Sequence, residues 1–500
     1  MAELIPMDLD RIREDLEEYA EALSREEYLT RAGLKDESGA AAIRERYDHL
    51  ASRGLFDEAR ETAQAAADPE EARRLRYLAE FLATNCIEYR TREASDRLTT
   101  SEAARTIALD GERLPLRAAE VRIKNEGQRA RRAALDAARL SAVAELDGLR
   151  QEITERAHHE AQRLGFPNYT TLCRGLSGID LAALRDLVRP LLSRTRDMYR
   201  DVLAWHLRRW VEVEPAEAKR HDLVRLFRAP GLDAVLPAGN LRQAAEGPLR
   251  RMRIDPRADG RIRVDDEARP NKIPRAFVAN LRIPDEVVLV VRPAGGPDDY
   301  TAYLHELGHA LHYAYTDRRL PVEYKRLGDP SVTEAHAFLM DGQMRERTWL
   351  KRFAGVAHPA DLLRFTALHK LWYLRRYAAK LEYELFLHSE GALSRCADAY
   401  RELLSDATLV EWPRELYLAD VDPFFYAARY LRAWIFEAQL RDQLRQRFDE
   451  EWFRNDRTGP FLLELWREGQ RRTVDELAAD LGLGPPSIEP LLAQMTADLN

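Results

Sequence analysis

Apolar residues recur at helical spacing along most of this chain. Ile12, Leu16, Tyr19 and Leu23, for example, fall on one face of a helix. The same spacing predicts helices in several long stretches, which are residues 9–102, 118–165, 180–210 and most of 300–500. Pro and Gly residues interrupt the spacing between and within these stretches. The fold class that the pattern predicts is mainly α.

Two short regions favour strands instead of helices. Asp110-Gly111 lies between short alternating segments within residues 105–116, an arrangement typical of a β-hairpin. Residues 276–282 and 286–292 are rich in strand-forming side chains and are joined by Ile283-Pro284-Asp285. We predict a second hairpin there, which comes directly before the next helical stretch.

Composition narrows the class of protein. The chain has 500 residues, of which 45% are hydrophobic, so it can bury a large core and is neither a small disulfide scaffold nor a disordered chain. This length is typical of about three domains, and it also suits one large helical enzyme. The 77 basic and 85 acidic residues give a net charge of -8, which provides no overall attraction to nucleic acid or to an anionic membrane. We therefore predict neither as a partner.

The cysteines and the N-terminal residues indicate the compartment. Cys86, Cys173 and Cys396 lie far apart and form no disulfide framework, which is typical of a reducing compartment and of small buried side chains. Residues 1–23 carry acids from residue 3 onward and lack the basic start and apolar stretch of a signal peptide. The longest aliphatic run, Val287 to Val291, is far shorter than the roughly 20 residues that span a bilayer. The prediction is a cytoplasmic protein.

One pentapeptide contains candidate metal ligands and a candidate general base. His305-Glu306-Leu307-Gly308-His309 is an H-E-x-x-H motif on a helix predicted from Tyr300 to about Tyr315. Because an α-helix has 3.6 residues per turn, His305 and His309 project from one face and can bind one Zn²⁺ together. Glu306 can reach a water beside the metal and accept its proton without being a ligand. The motif predicts a zinc hydrolase, and the preceding hairpin would supply an edge strand for an extended substrate.

A zinc site of this kind needs a third protein ligand. The longer motif H-E-x-x-H-x-x-G-x-x-H requires glycine and histidine where this chain has His312 and Tyr315, which excludes the metzincin class. A glutamate from a following helix is the usual alternative, and Glu334 follows a break at Gly328-Asp329-Pro330. However, Ser331-Val332-Thr333-Glu334 is also a capping-box pattern, in which Glu334 would only bond the start of its own helix. Spacing alone leaves both interpretations open.

A family resemblance distinguishes between them. HELGHALHYAYTDRRLPVEY, followed by GDPSVTEAHAFLMDGQM, resembles the thimet oligopeptidase and oligoendopeptidase F family and is also similar to the angiotensin-converting-enzyme family, both of them gluzincins. The resemblance implies that His305, His309 and Glu334 bind one zinc ion and that Glu306 is the general base. PRAFVANLRIPDEVVLVV resembles the family's substrate-flanking strands, and LGFPNYTTL resembles a segment of its N-terminal half. The match covers roughly residues 270–350 and is weaker over 410–480.

A segment near the C-terminus resembles the part of the family that supplies a tyrosine to the substrate carbonyl. It begins at Asp422-Pro423 and opens a helix predicted near residues 422–448. The resemblance implies that Tyr430, with Tyr426 as second choice, donates a proton to the oxyanion; either ring taken alone is more typical of one that packs its helix. The chain departs from the family before this tyrosine, where relatives have a histidine and this sequence has Ala419 and Asp420.

Four further side chains are weaker candidates. His312 could contact substrate but is more typical of packing, and Asp341, on the same helical face as Glu334, could orient a ligand or simply be exposed. Arg429 and Arg432 could bind the carboxylate of a peptide, although the abundance of arginine favours a solvated face.

The resemblance implies a complete architecture and activity. Residues 1–160 would form an N-terminal helical lobe and residues 161–500 the gluzincin catalytic region, with two helical lobes flanking a deep channel and a small antiparallel β element next to the H-E-x-x-H helix. The activity would be zinc-dependent hydrolysis of short peptides in the cytoplasm. Two alternatives are a metallocarboxypeptidase of the thermostable Taq type and a zinc-bearing peptide-binding protein without turnover; Glu306 argues against the latter, because a structural zinc site needs no base. The sequence gives no prediction of oligomeric state.

Overall fold

The computed structural model describes residues 8–389 and 393–499. The first seven residues of the N-terminal stretch analysed for a signal peptide lie outside the described residues, and so does residue 500. Helices dominate. The first eleven α-helices of the described chain are α1 (Leu9–Arg31), α2 (Ala40–Arg46), α3 (Arg53–Ala65), α4 (Pro69–Ala104), α5 (Leu116–Asn125), α6 (Arg129–Ala144), α7 (Asp147–Arg163), α8 (Tyr169–Ser177), α9 (Leu181–Arg194), α10 (Arg196–His206) and α11 (Arg220–Arg228).

The second half of the chain continues the helical pattern. Its α-helices are α12 (Leu241–Arg251), α13 (Pro297–Tyr315), α14 (Val322–Arg326), α15 (Pro330–Asp341), α16 (Arg347–Arg352), α17 (Ala360–Ser389), α18 (Cys396–Thr408), α19 (Tyr426–Phe448), α20 (Thr458–Arg467), α21 (Val474–Asp480) and α22 (Glu489–Leu499). The strands are β1 (Thr106–Leu109), β2 (Glu112–Pro115), β3 (Ile262–Asp265), β4 (Phe277–Arg282) and β5 (Glu286–Val290). The prediction of a mainly α fold is confirmed.

Both predicted hairpins are present. β1 and β2 pair antiparallel across Asp110-Gly111, and both of these turn residues have positive φ, which a tight hairpin turn requires. β4 and β5 pair antiparallel, as predicted, but they belong to a three-stranded sheet of order β3-β5-β4 in which β3 runs parallel to β5. The β element is therefore mixed rather than wholly antiparallel, and β4 is an edge strand.

The chain folds into two compact units. The first unit contains the residues up to Cys86, Ala234–Pro359 and Arg432–Ser487. The second unit contains Ile87–Asp233, Ala360–Leu431 and the residues from Ile488 onward. The predicted sequence boundary at residue 160 stays a prediction.

A hydrophobic cluster in the first unit fixes the sheet against α1. Its buried residues are Tyr28, Ala32, Phe277, Ala279, Leu281, Val288 and Val290. Alternate residues of β4 contribute to this cluster because successive side chains of a strand point to opposite faces. Helix α13 packs against β4 and β5 and also against α15. The helix that carries the H-E-x-x-H motif is thus held between a small sheet and a second helix.

The second unit consists largely of helices around α17. Arg376, Lys380 and Asp420 form a partly buried ionic cluster there, with the Lys380 amine 2.8 Å from the carboxylate of Asp422 and the Tyr400 hydroxyl donating to Asp420 over 2.6 Å. The three cysteines are buried and form no disulfide with one another, as predicted for small apolar side chains. Among the helices of the described residues, none combines the length and the apolar character of a membrane-spanning segment.

Candidate metal centre

Helix α13 brings both motif histidines to one face. It begins with Pro297 in its first turn, after Gly296 at φ 88°, and the carboxylate of Asp299 accepts hydrogen bonds from the backbone N–H groups of Ala294 and Gly295 over 2.9 Å. These contacts fix the start of the helix two turns before the motif. His305 and His309 then lie one turn apart, with ring centroids separated by 4.8 Å.

The glycine of the motif sets how closely α13 and α15 approach. A Cβ atom on Gly308 would lie 2.5 Å from the Cα of Ala337 and 2.8 Å from the carbonyl oxygen of His336. Both neighbours are backbone atoms of α15, so neither can rotate away. Only glycine allows the two helices to pack at this distance.

Helix α15 carries Glu334 towards α13. Its N-cap is Asp329, whose carboxylate accepts from the backbone N–H of Ser331 over 3.0 Å, and Pro330 is its first residue. The capping-box interpretation, with Ser331 as N-cap and Glu334 bonded to it, is therefore wrong. Glu334 lies beyond the first turn and is 5% exposed.

Three ligand-type atoms converge between these helices. Nε2 of His309 lies 3.2 Å from Nε2 of His305, and Oε2 of Glu334 lies 3.4 Å from the His305 nitrogen and 3.6 Å from the His309 nitrogen. In a tetrahedral zinc site with bonds of about 2.0–2.1 Å, neighbouring ligand atoms are about 3.3–3.4 Å apart. The three atoms are thus spaced as zinc requires, and two imidazoles with one carboxylate are a donor set that zinc prefers.

The far nitrogens of both imidazoles have partners of their own. Nδ1 of His305 lies 3.0 Å from a carboxylate oxygen of Asp341, and Nδ1 of His309 lies 2.8 Å from the hydroxyl oxygen of Thr333. A proton on Nδ1 donated to each of these oxygens leaves the lone pair on Nε2, at the common point. The two contacts therefore hold both rings in the tautomer that binds a metal.

Burial and the two nearby carboxylates shift the pKa values of the two histidines in opposite directions. Burial lowers the pKa of His305, but the carboxylates of Asp341 and Glu334 outweigh it and raise the pKa to about 10. Burial lowers the pKa of His309 to about 4; the Glu334 carboxylate opposes this shift, and His305 and His312 add to it. Positive charge is therefore stabilised on His305, which lies between the two carboxylates, and disfavoured on His309.

Glu306 lies next to this centre but does not belong to the three converging groups. It is half-buried, and its carboxylate accepts a hydrogen bond from the backbone N–H of Val278 in edge strand β4. Burial raises its pKa, while the positive charges of His305 and Arg275 oppose the shift. A carboxylate with a raised pKa is suited to accept and return a proton.

Three of the weaker candidates differ in what their side chains contact. Asp341 is buried and contacts His305, which is the orienting position considered for it. His312 is fully buried and its Nε2 lies 3.1 Å from the carbonyl oxygen of Gly469, as expected for packing. Arg432 is not on a solvated face, because it is 9% exposed and donates to the carboxylates of Asp329 and Asp475 over 2.7 Å each.

The candidate tyrosines lie at the start of α19, in the second unit. The helix begins at Tyr426, after a 3-10 turn at Pro423–Phe425, somewhat later than predicted. The rings of Tyr426 and Tyr430 are 5.0 Å apart, and Tyr377 packs against Tyr430 at 5.2 Å. Both candidate rings are partly exposed. The catalytic roles of these tyrosines stay predictions.

Thr333 was not identified from the sequence. It contributed there only to a capping-box pattern, although it directly precedes the candidate ligand Glu334. Neighbouring residues of a helix point about 100° apart, so a hydroxyl beside a ligand can face a different atom of the same site. A Ser or Thr next to a ligand on the same helix is therefore a signal worth testing.

Comparisons with known proteins find similarity at the level of structure. No family model matches the chain, and no curated protein matches its sequence. The crystal structure of a Bacillus anthracis protein described as an oligoendopeptidase F superposes with a TM-score of 0.65 at 16% identity, covering 98% of this chain and 89% of that one. A second structure with the same description has a TM-score of 0.70 at 18% identity, with 98% and 91% covered. The chain therefore has the mainly helical fold of these oligoendopeptidase F structures.

Proposed function

We propose that this chain is a zinc metallopeptidase that hydrolyses peptide bonds in short peptides. The observation that carries the proposal is the convergence of the His305, His309 and Glu334 ligand atoms at 3.2 to 3.6 Å from one another, with Glu306 beside them. One zinc ion held by these three residues would supply Lewis-acid chemistry, polarising a carbonyl and lowering the pKa of a water.

Glu306 is the proposed general base. Its carboxylate accepts a proton from the attacking water, and the raised pKa that burial gives it helps it to return that proton to the leaving amine. The backbone N–H of Val278 holds the carboxylate in place while the proton moves. Asp341 and Thr333 keep the two imidazoles oriented during the same step.

A phenol is the proposed donor to the carbonyl oxygen of the scissile bond. Tyr430 is the first choice and Tyr426 the second, on the strength of the resemblance described above. A hydroxyl that donates to this oxygen stabilises the negative charge that develops as water attacks.

Short extended peptides are the proposed substrates. Edge strand β4 can pair with an extended chain through its free backbone groups, and it carries the N–H that contacts Glu306. Two proteins of the same fold are described as oligoendopeptidase F, which supports peptides as the substrate class. The channel between helical lobes, and the cytoplasmic location, stay predictions.

Metal content and peptide cleavage test the proposal together. We expect one equivalent of zinc per chain by elemental analysis, and cleavage of a quenched fluorescent peptide that a chelator abolishes and zinc restores. Glu306→Gln is the matched control, since it should retain zinc and fold without cleaving. Full cleavage in the presence of chelator, or a chain that binds no zinc, would refute the proposal.

A further inference from the structure

The free edge of β4 is already occupied at two points. The backbone groups of a strand point alternately to its two sides, and β5 pairs with β4 on one side only. On the other side the N–H of Val278 donates to Glu306, and two residues further along the carbonyl oxygen of Asn280 accepts from Arg326 over 3.1 Å. Arg326 also donates to the carbonyl oxygen of Leu281 over 2.8 Å, at the point where the pairing of β4 with β5 shifts register between Asn280 and Arg282.

Most arginines of the described residues pair with a carboxylate, whereas Arg326 binds backbone carbonyls. It is the last residue of α14 and is half-buried. Among the described residues no carboxylate lies within ion-pair distance of its guanidinium, and burial lowers its pKa although Glu17 and Glu21 oppose the shift from further away. Its guanidinium donates to two carbonyls of β4. A guanidinium in this position prevents another chain from pairing with the strand there.

We propose that Arg326 ends the peptide-binding edge of β4 at Asn280, so that a bound peptide has room for about two residues on that side of the scissile bond. The inference rests on the proposed function, because it assumes that the bond to be cleaved lies opposite Glu306. From Val278 to Asn280 the strand advances two residues, about 7 Å, and a peptide paired with it advances by the same amount. The next strand hydrogen bond would require the carbonyl that Arg326 occupies.

A length limit on one side of the cleaved bond defines a class of preferred substrate. Peptides that have one chain end within about two residues of the cleaved bond would be preferred, and the other end would be free of this restriction. The enzyme would then release short fragments from one end of a peptide. Which chain end is restricted depends on the direction of the bound peptide and is read directly from the products.

A length series of peptides measures the limit. One peptide that the enzyme cleaves is extended by one to four alanines at its N-terminus in one set and at its C-terminus in another, and products are identified by mass spectrometry. For the wild type we expect kcat/KM to fall roughly tenfold when a third residue is added on one side, because that residue would meet the Arg326 guanidinium and its backbone would lose water without gaining a strand hydrogen bond. On the other side kcat/KM should change little.

Variants of two arginines then test the assignment. Arg326→Met should reduce that tenfold fall to less than about twofold, because the edge carbonyls become available to the peptide. Arg282→Met is the matched control, since Arg282 belongs to the same strand but its guanidinium lies 2.9 Å from the carboxylate of Glu21. This variant should keep the wild-type length dependence.

The possible outcomes distinguish this inference from the proposed function. A wild-type enzyme that tolerates extension on both sides, or an Arg326→Met variant with unchanged length dependence, would overturn the inference and leave the peptidase intact. If circular dichroism shows that Arg326→Met does not fold, the wild-type series still shows whether extension on one side lowers kcat/KM. Absence of chelator-sensitive cleavage of every peptide would refute the proposed function instead; the length limit is then measured as binding of the same peptides, fluorescently labelled, to the wild-type chain.

Discussion

Replacement of Gly308 by alanine should separate the two helices that form the metal centre. The added Cβ would lie 2.5 Å from the Cα of Ala337, whereas ordinary contacts of a Cβ begin near 3.4 Å. Helix α13 or α15 must therefore shift by about 1 Å, because both atoms that meet the methyl group are backbone. Glu334 moves with α15 and the two histidines with α13.

The shift has a calculable effect on the ligand atoms. The Glu334 oxygen lies 3.4 and 3.6 Å from the two histidine nitrogens, and an increase of about 1 Å exceeds what tetrahedral coordination accommodates. We expect zinc affinity to fall by about 100-fold or more, since the loss of an outer contact alone costs about 10–100-fold. Overpacking should also lower the free energy of unfolding by about 1–3 kcal/mol.

Competition with a fluorescent chelator measures the affinity, and thermal unfolding with and without zinc measures the stability. Gly148→Ala is the matched control. Gly148 lies in α7, and a Cβ there would meet nothing within 4 Å, so this variant should be as stable as the wild type or about 0.4–1 kcal/mol more stable. A Gly308→Ala chain with wild-type zinc affinity would show that the spacing of α13 and α15 does not depend on this glycine.

Four further predictions concern single side chains. Asp341→Asn should weaken zinc binding by about 10–100-fold in a chelator competition, because His305 loses the charged acceptor of its Nδ1 proton. Glu306→Gln should keep stoichiometric zinc but lose several orders of magnitude in kcat, measured with a quenched peptide, because no carboxylate accepts the proton of the water. Tyr430→Phe should lower kcat roughly 10²–10³-fold with little change in KM, and Tyr426→Phe should have a much smaller effect. For Asp420, burial alone would raise the pKa, but Arg376 and Lys380 lower it to about 2, so its stabilising contribution is complete above about pH 4 and is lost as the pH falls towards 2. The stability deficit of Asp420→Asn, measured by urea unfolding, should therefore be larger at pH 6 than at pH 3.5.

For each of these predictions a specific outcome would refute the reasoning. Unchanged zinc affinity in Asp341→Asn would remove that residue from the metal centre. Appreciable turnover by Glu306→Gln would require another base. A larger kcat loss at Tyr426 than at Tyr430 would exchange their roles, and no loss at either would leave the carbonyl oxygen to another donor. A stability deficit of Asp420→Asn that does not depend on pH would mean that the carboxylate is not the source of the effect.

Features with local causes could be predicted from the sequence. The helical stretches and both hairpins follow from spacing and turn residues that lie close together in the chain, and the structure confirms them. Strand β3 was missed because it has only four residues and its parallel partner β5 lies beyond the whole of β4. Nothing near Ile262–Asp265 in the sequence indicates that pairing.

The candidate site also contains both kinds of feature: some of its geometry has a local cause, and some depends on contacts between distant segments. His305, Glu306 and His309 lie within one turn and a half of one helix, so their relative positions follow from helical geometry alone. The contacts of Asp341 with His305 and of Thr333 with His309 depend on how α15 packs against α13. That packing is set by Gly308, whose role in the motif is visible only when the backbone atoms it meets are known.

Glu334 shows that a local signal can decide between two interpretations when the right residue is considered. Ser331-Val332-Thr333-Glu334 fits a capping box only if Ser331 is the N-cap. Proline is favoured at the first position of a helix, and aspartate is favoured at the N-cap, so Asp329-Pro330 predicts a helix that starts two residues earlier. The third helical residue is then Val332, which cannot form a capping box, and Glu334 falls in the second turn with its carboxylate available to α13. The Asp-Pro pair alone thus excludes the capping box, and it does so from residues adjacent to the motif.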